Sequence, residues 1–76
     1  MKEYNGHRSW NAWNVSLWMG NDEPLYNWAM DCLARKDNNP RRAALLMTKE
    51  GLSGNTPDGG VYNLSSIQLA LEGFVE

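Results

Sequence analysis

Ser9-Trp10-Asn11-Ala12-Trp13-Asn14-Val15-Ser16-Leu17-Trp18-Met19-Gly20 is the stretch on which the fold turns. Trp10, Trp13, Leu17 and Trp18 recur at three- and four-residue steps, the period of one helical face. Strand alternation fails here, because Trp13 and Leu17 share a parity while Trp10 and Trp18 take the other. With Ser9 as N-cap and Gly20 as stop, the spacing predicts an amphipathic helix over 10–19. Upstream, Met1 to Arg8 is polar apart from Tyr4 and carries the turn dipeptide Asn5-Gly6, so it reads as an arm pinned by Tyr4.

Downstream the same grammar repeats. Asn21-Asp22-Glu23-Pro24 offers a capping side chain, two carboxylates and an early proline, all suited to a first turn with free N–H groups and a positive dipole end. Leu25, Trp28, Ala29, Cys32 and Leu33 then trace one face up to Arg35-Lys36, which predicts a second helix over 22–36. Asp37-Asn38-Asn39-Pro40 is a polar turn ending in an Asn cap and a proline, and the good helix formers after it stop at Gly51, giving a third helix over 40–50. Ser53 to Gly60 is aperiodic, with Thr56-Pro57-Asp58-Gly59 fitting a tight turn. Ser65 and Gln68 form a capping box with Leu64 and Leu69 as its staple, for a fourth helix over 66–72. Phe74-Val75-Glu76 reads as an apolar tail that docks.

The expected fold is therefore all-α, one compact domain over 1–76 with about four short helices and an aromatic core. A small α+β fold with a hairpin within 52–63 is the alternative. Seventy-six residues leave no room for a second domain, and a chain this short must use large side chains well. Seven Lys+Arg against nine Asp+Glu give a formal charge of −2, which argues against direct nucleic-acid binding. One Cys and one His supply neither an internal disulfide nor a zinc set, so no metal or other cofactor is expected. No apolar run reaches a membrane span and the first residues do not resemble a signal peptide, so the expected location is cytoplasmic.

The search for chemistry finds no catalytic set. His7 lies in the polar arm without a recognisable nucleophile and orienting partner, and reads as a surface or structural residue. Cys32 shares the apolar face of the second helix, where a free thiol packs as a small hydrophobe. Asp22 and Glu23 already serve a helix start. Gly59-Gly60 belongs to no phosphate loop. Arg35, Lys36, Arg41 and Arg42 form one basic corner, explained by a solvated helix end or by contact with a partner. The four Trp cannot all be central, because each buried indole N–H needs a partner, so at least one edge is exposed. Asn11 and Asn14 are poor choices inside a helix and point to side-chain hydrogen bonds, either inward to indoles and loops or outward to a partner.

Tyr4-Asn5-Gly6, then Trp13-Asn14-Val15, Leu17-Trp18, Asn21-Asp22-Glu23 and Leu25-Tyr26, with Thr56-Pro57-Asp58-Gly59 later, make a pattern that resembles a group of small phage and mobile-element proteins. The resemblance covers nearly the whole chain; Ser9-Trp10 before Asn11 and Pro24 after Glu23 are its departures. By analogy of size and composition it implies an anti-defence protein of the anti-CRISPR kind. Such a protein would bind a host CRISPR effector (Cascade-like) complex and block nucleic-acid or partner binding without catalysis. The expected contact set is Trp10, Trp18, Asp22, Glu23, Tyr26 and Asp31. A phage structural or replication accessory protein, acting as a homodimer or weak nucleic-acid binder, is the alternative.

Overall fold

In the computed structural model, which describes residues 9–75, the chain forms α1 (Trp10–Asn21), α2 (Glu23–Arg35), α3 (Pro40–Lys49) and α4 (Leu64–Phe74). The expected all-α class holds. Among the described residues the 52–63 segment holds one isolated antiparallel bridge, Asn55 to Val61, and no strand, so the hairpin alternative is not built. The readings of Tyr4, His7 and Glu76 lie outside the described residues.

Punctuation explains most boundaries. The Ser9 hydroxyl accepts from the Ala12 N–H at 3.1 Å and opens α1 as expected. Gly20, however, does not stop the helix. Asp22 does, because its backbone N–H closes α1 on the Trp18 carbonyl at 3.0 Å while its carboxylate caps the Leu25 N–H at 3.1 Å. One residue thus ends α1 and starts α2, which fixes the angle between them. α2 closes with the Asn38 N–H bonded to the Leu33 carbonyl at 2.7 Å, and Asp37 and Asn38 both take left-handed backbone, which short polar residues tolerate. Asn39 then caps α3 by accepting from the Arg42 N–H at 3.0 Å. At the far end of α3, Gly51 sits at φ 114° and Leu52 N–H returns to the Met47 carbonyl at 3.0 Å.

α4 begins two residues earlier than the sequence pattern predicts. Its reciprocal box joins Asn63 and Ser66, with Ser66 N–H donating to Asn63 Oδ1 at 2.9 Å and Asn63 N–H donating to Ser66 Oγ at 3.0 Å. Ser65 is left exposed and Leu64 lies inside the helix, so the expected Ser65/Gln68 box and its Leu64/Leu69 staple are displaced. Asn caps at least as well as Ser, and a cap at 63 starts the helix two residues earlier, about half a turn. Gly73 falls within that helix, and Phe74 packs on the core and meets the Tyr26 ring edge-on at 5.4 Å.

The helices pack in a ring, each on its neighbours in the chain, with α1 against α4 completing it; α2 and α4 touch lightly across the middle and α1 does not meet α3. The centre is aliphatic, not aromatic as expected. Val15, Met19, Ala29, Cys32, Leu33, Ala43, Ala44, Met47, Ile67, Ala70 and Leu71 are fully buried, and no Trp is. Four alanines among these let the axes approach, and the rings of Trp28, Tyr62 and Phe74 cover the outside of the cluster. The reason lies in the indole N–H groups. Trp28 donates to Glu50 at 2.7 Å and Trp18 to Asp58 at 2.9 Å, so each ring lies across the rim where a solvated carboxylate can reach it.

Candidate functional site

α1 has two apolar stripes, and the core uses the one the sequence pattern does not favour. Ala12, Val15 and Met19 are buried. Trp10 and Leu17, seven positions apart and hence on one side of the helix, are each 38% exposed, and Trp13 between them is half-buried. The three- and four-residue spacing of Trp10, Trp13 and Leu17 therefore marks an outward ridge. Alanine, valine and methionine fit between closely packed helices where two indoles and a leucine would not, which decides the orientation.

The rest of the α1 surface is held under the 54–62 loop by a polar latch. Asn14, 1% exposed, donates through Nδ2 to Asp58 Oδ2 at 3.1 Å, the same oxygen that accepts the Trp18 indole. Thr56, 4% exposed, donates its hydroxyl to Asn14 Oδ1 and accepts the Gly60 N–H at 2.8 Å. One turn earlier, Asn11 pairs with the backbone of Val61, accepting its N–H at 2.6 Å and donating to its carbonyl at 3.1 Å. The turn itself is made as expected, Gly59 N–H returning to the Thr56 carbonyl at 2.9 Å. Asn11 and Asn14 thus bond inward to the loop, and the Trp-Asn and Thr-Pro-Asp-Gly signatures are two halves of one fastening. Trp18 and Asn14 together hold the Asp58 carboxyl below its ordinary range. No buried side-chain N or O among the described residues lacks a partner.

A second carboxylate organises the α2–α3 seam. Glu50 accepts from Trp28 and from Arg35 at 3.2 Å, and Arg35 also pairs with Asp31 at 2.9 Å. The Trp28 hydrogen bond, with Arg35 beside it, draws the Glu50 carboxyl down. Cys32 lies behind this group. Burial above all, and the Glu50 charge next, push its thiol up, so it stays protonated and packs as the sequence predicts.

The six expected contact residues do not form one patch. Asp22, Glu23 and Tyr26 stand together in the first turn of α2, all exposed, one turn beyond Trp18. Trp18 is half-buried, with its polar edge engaged by Asp58. Trp10 lies eight residues back along α1, about 12 Å away along the axis. Asp31 is nine positions from Asp22, about half a turn round α2, and is tied to Arg35. Leu17 is a surface residue the sequence pattern missed, because an apolar residue at helical spacing reads as core, and Met30, at 36% exposure, lies outside the apolar face that pattern traces on α2.

Among the described residues no helix is long and apolar enough to cross a membrane. No curated protein and no solved structure matches the chain. A family model does, over residues 1–73, a span that takes in both halves of the latch; the chain belongs to a family of unknown function, DUF7249.

Proposed function

We propose that this protein is a non-catalytic inhibitor that binds a host complex through the outward ridge of α1 and the adjoining start of α2. In this reading it is an anti-defence protein of the anti-CRISPR kind that blocks a nucleic-acid or partner site on a CRISPR effector. The observation that carries the reading is the doubled apolar character of α1. A helix apolar on both sides belongs between two surfaces, and the core of this domain supplies one. Trp and Tyr dominate protein hot spots; Trp10 and Trp13 lie on the ridge of α1, and Tyr26 stands with the acidic Asp22 and Glu23 in the first turn of α2. Their charge suits competition for a cationic groove. The likeness of the signature to small phage proteins supports the choice of target.

A stable complex needs about 800 Å² from each partner, a large share of so small a domain, so few substitutions on the ridge should go unnoticed. Targeted phage plated on CRISPR-active cells provides the test. Plaque numbers should rise by about two orders of magnitude or more when the protein is expressed, and fall back with Trp10→Ala/Leu17→Ser, which removes a Trp anchor and the exposed leucine beside it without entering the core. Full immunity in the presence of the wild-type protein, or equal inhibition by a folded double variant, would reject the reading. A homodimer built on the same ridge would hide it from a host target, and light scattering separates the two.

A further inference from the structure

α3 carries an outward surface of different chemistry. Its inner side gives Ala43, Ala44 and Met47 to the core. On the outer side Arg42, Leu45, Leu46 and Lys49 recur at i, i+3, i+4 and i+7, and with Lys36 from the end of α2 they line a shallow groove of about 340 Å³. Leu45 is 46% exposed along it, and Leu46 is half-buried with its inner side against the core. Lys36, Arg42 and Lys49 form no ion pair among the described residues, whereas the neighbouring cations are engaged, Arg35 by Asp31 and Glu50 and Arg41 by the Gln68 side chain at 3.4 Å. Three uncompensated cations thus surround two leucines on a protein whose net charge is −2.

We propose that this groove docks an acidic peptide segment of a partner protein, its apolar side chains lying on Leu45 and Leu46 and its flanking carboxylates on Lys36, Arg42 and Lys49. Charge complementarity selects the sign, and the leucines select the class. A phosphate polymer would satisfy the cations and leave the leucines wet. A wholly apolar helix would cover the leucines and strip water from three charges without replacing it, which is costly. An acidic segment with one or two apolar anchors meets both halves. From Arg42 to Lys49 the groove runs about 10 Å, the length of two helical turns or of about three extended residues. The surface is separate from the α1 ridge and does not depend on the role assigned there.

A fluorescein-labelled synthetic peptide carrying a leucine pair flanked by glutamates is the probe, read by anisotropy and by amide shift mapping on the wild-type chain. Saturable binding is expected, with shifts centred on residues 36, 42, 45, 46 and 49. Arg42→Glu/Lys49→Glu should weaken it about tenfold or more, and Leu45→Ser by a comparable factor, with circular dichroism unchanged. The proposal is overturned by absent binding at millimolar probe, by equal binding of a peptide with serines in place of the leucines, by a single-stranded oligonucleotide that binds tighter and displaces the peptide, or by shifts centred on α1. Should a variant fail to fold, the shift map on the wild type still decides.

Discussion

Gly60→Ala is the most direct test of the latch. Gly60 is buried, and a Cβ built on it would stand 2.6 Å from Asn14 Oδ1, 3.1 Å from Thr56 Oγ1 and 3.3 Å from Asn14 Cβ. The first of these is closer than non-bonded atoms tolerate, so Asn14 must move. It is not free to do so cheaply, because Asn14 and Thr56 are both buried, and the Asn14 oxygen accepts from Thr56 while its amide donates to Asp58. Overpacking costs about 1–3 kcal/mol and a buried polar group left without its partner about the same, so the substitution should cost about 2–4 kcal/mol after partial relaxation. A 76-residue domain has roughly 4–11 kcal/mol in total. The loss should therefore lower the melting temperature by about 10 °C or more.

Thermal and urea unfolding by circular dichroism measure it, with Gly73→Ala as the internal control. Gly73 lies in α4 with nothing within 4 Å of its added Cβ, so the same change there should stabilise by about 0.5–1 kcal/mol. One chemical substitution then has opposite signs at two sites. Combining Gly60→Ala with Asn14→Ala removes the crowded oxygen, and the pair should cost less than the sum of the singles. A Gly60→Ala protein as stable as the wild type, or strict additivity in the double variant, would refute the packing of the loop on α1.

The remaining predictions concern single groups. Asp58 has its carboxyl depressed in the folded state, so its contribution is present above the unfolded value near pH 4 and fades as pH falls through the lower folded value; Asp58→Asn should flatten that acid limb, followed through Trp fluorescence and urea midpoints. An unchanged acid limb would remove the carboxylate from the latch. Asn63→Ala should cost about 1 kcal/mol while Ser65→Ala is near neutral, because the cap of α4 is Asn63; the reverse order in urea titrations would restore the later start. Cys32 should react with a thiol reagent only as the domain opens, so its rate should track global stability across the variants above; fast labelling of the native protein would contradict its burial and raised thiol.

What the sequence makes legible is its punctuation. Asp22 with Pro24, Asn39 with Pro40, and Gly51 act within one turn of their own position, so the ends of α2 and α3 follow from local chemistry alone. The face of α1 does not, because Trp10-Trp13-Leu17 and Ala12-Val15-Met19 both satisfy helical spacing, and only the room left by α2 and α4 chooses between them. The start of α4 is ambiguous for a smaller reason, two capping side chains standing two residues apart. The latch is the instructive case. Asn14 and Asp58 meet across 44 positions, a pairing no local rule can give, yet the conflict of two asparagines inside a helix marked one half and the Thr-Pro-Asp-Gly turn marked the other. Residues that oppose their own local structure were the trace of a long-range bond, and their side chains are spent on the fold. It follows that the parts of the signature that stand out most in the sequence, Asn14, Trp18, Thr56 and Asp58, are poor candidates for contacting a partner. The residues left free to do so are Trp10, whose exposed edge the sequence did suggest, and Leu17 and Leu45, which obey helical spacing without conflict and so draw no notice.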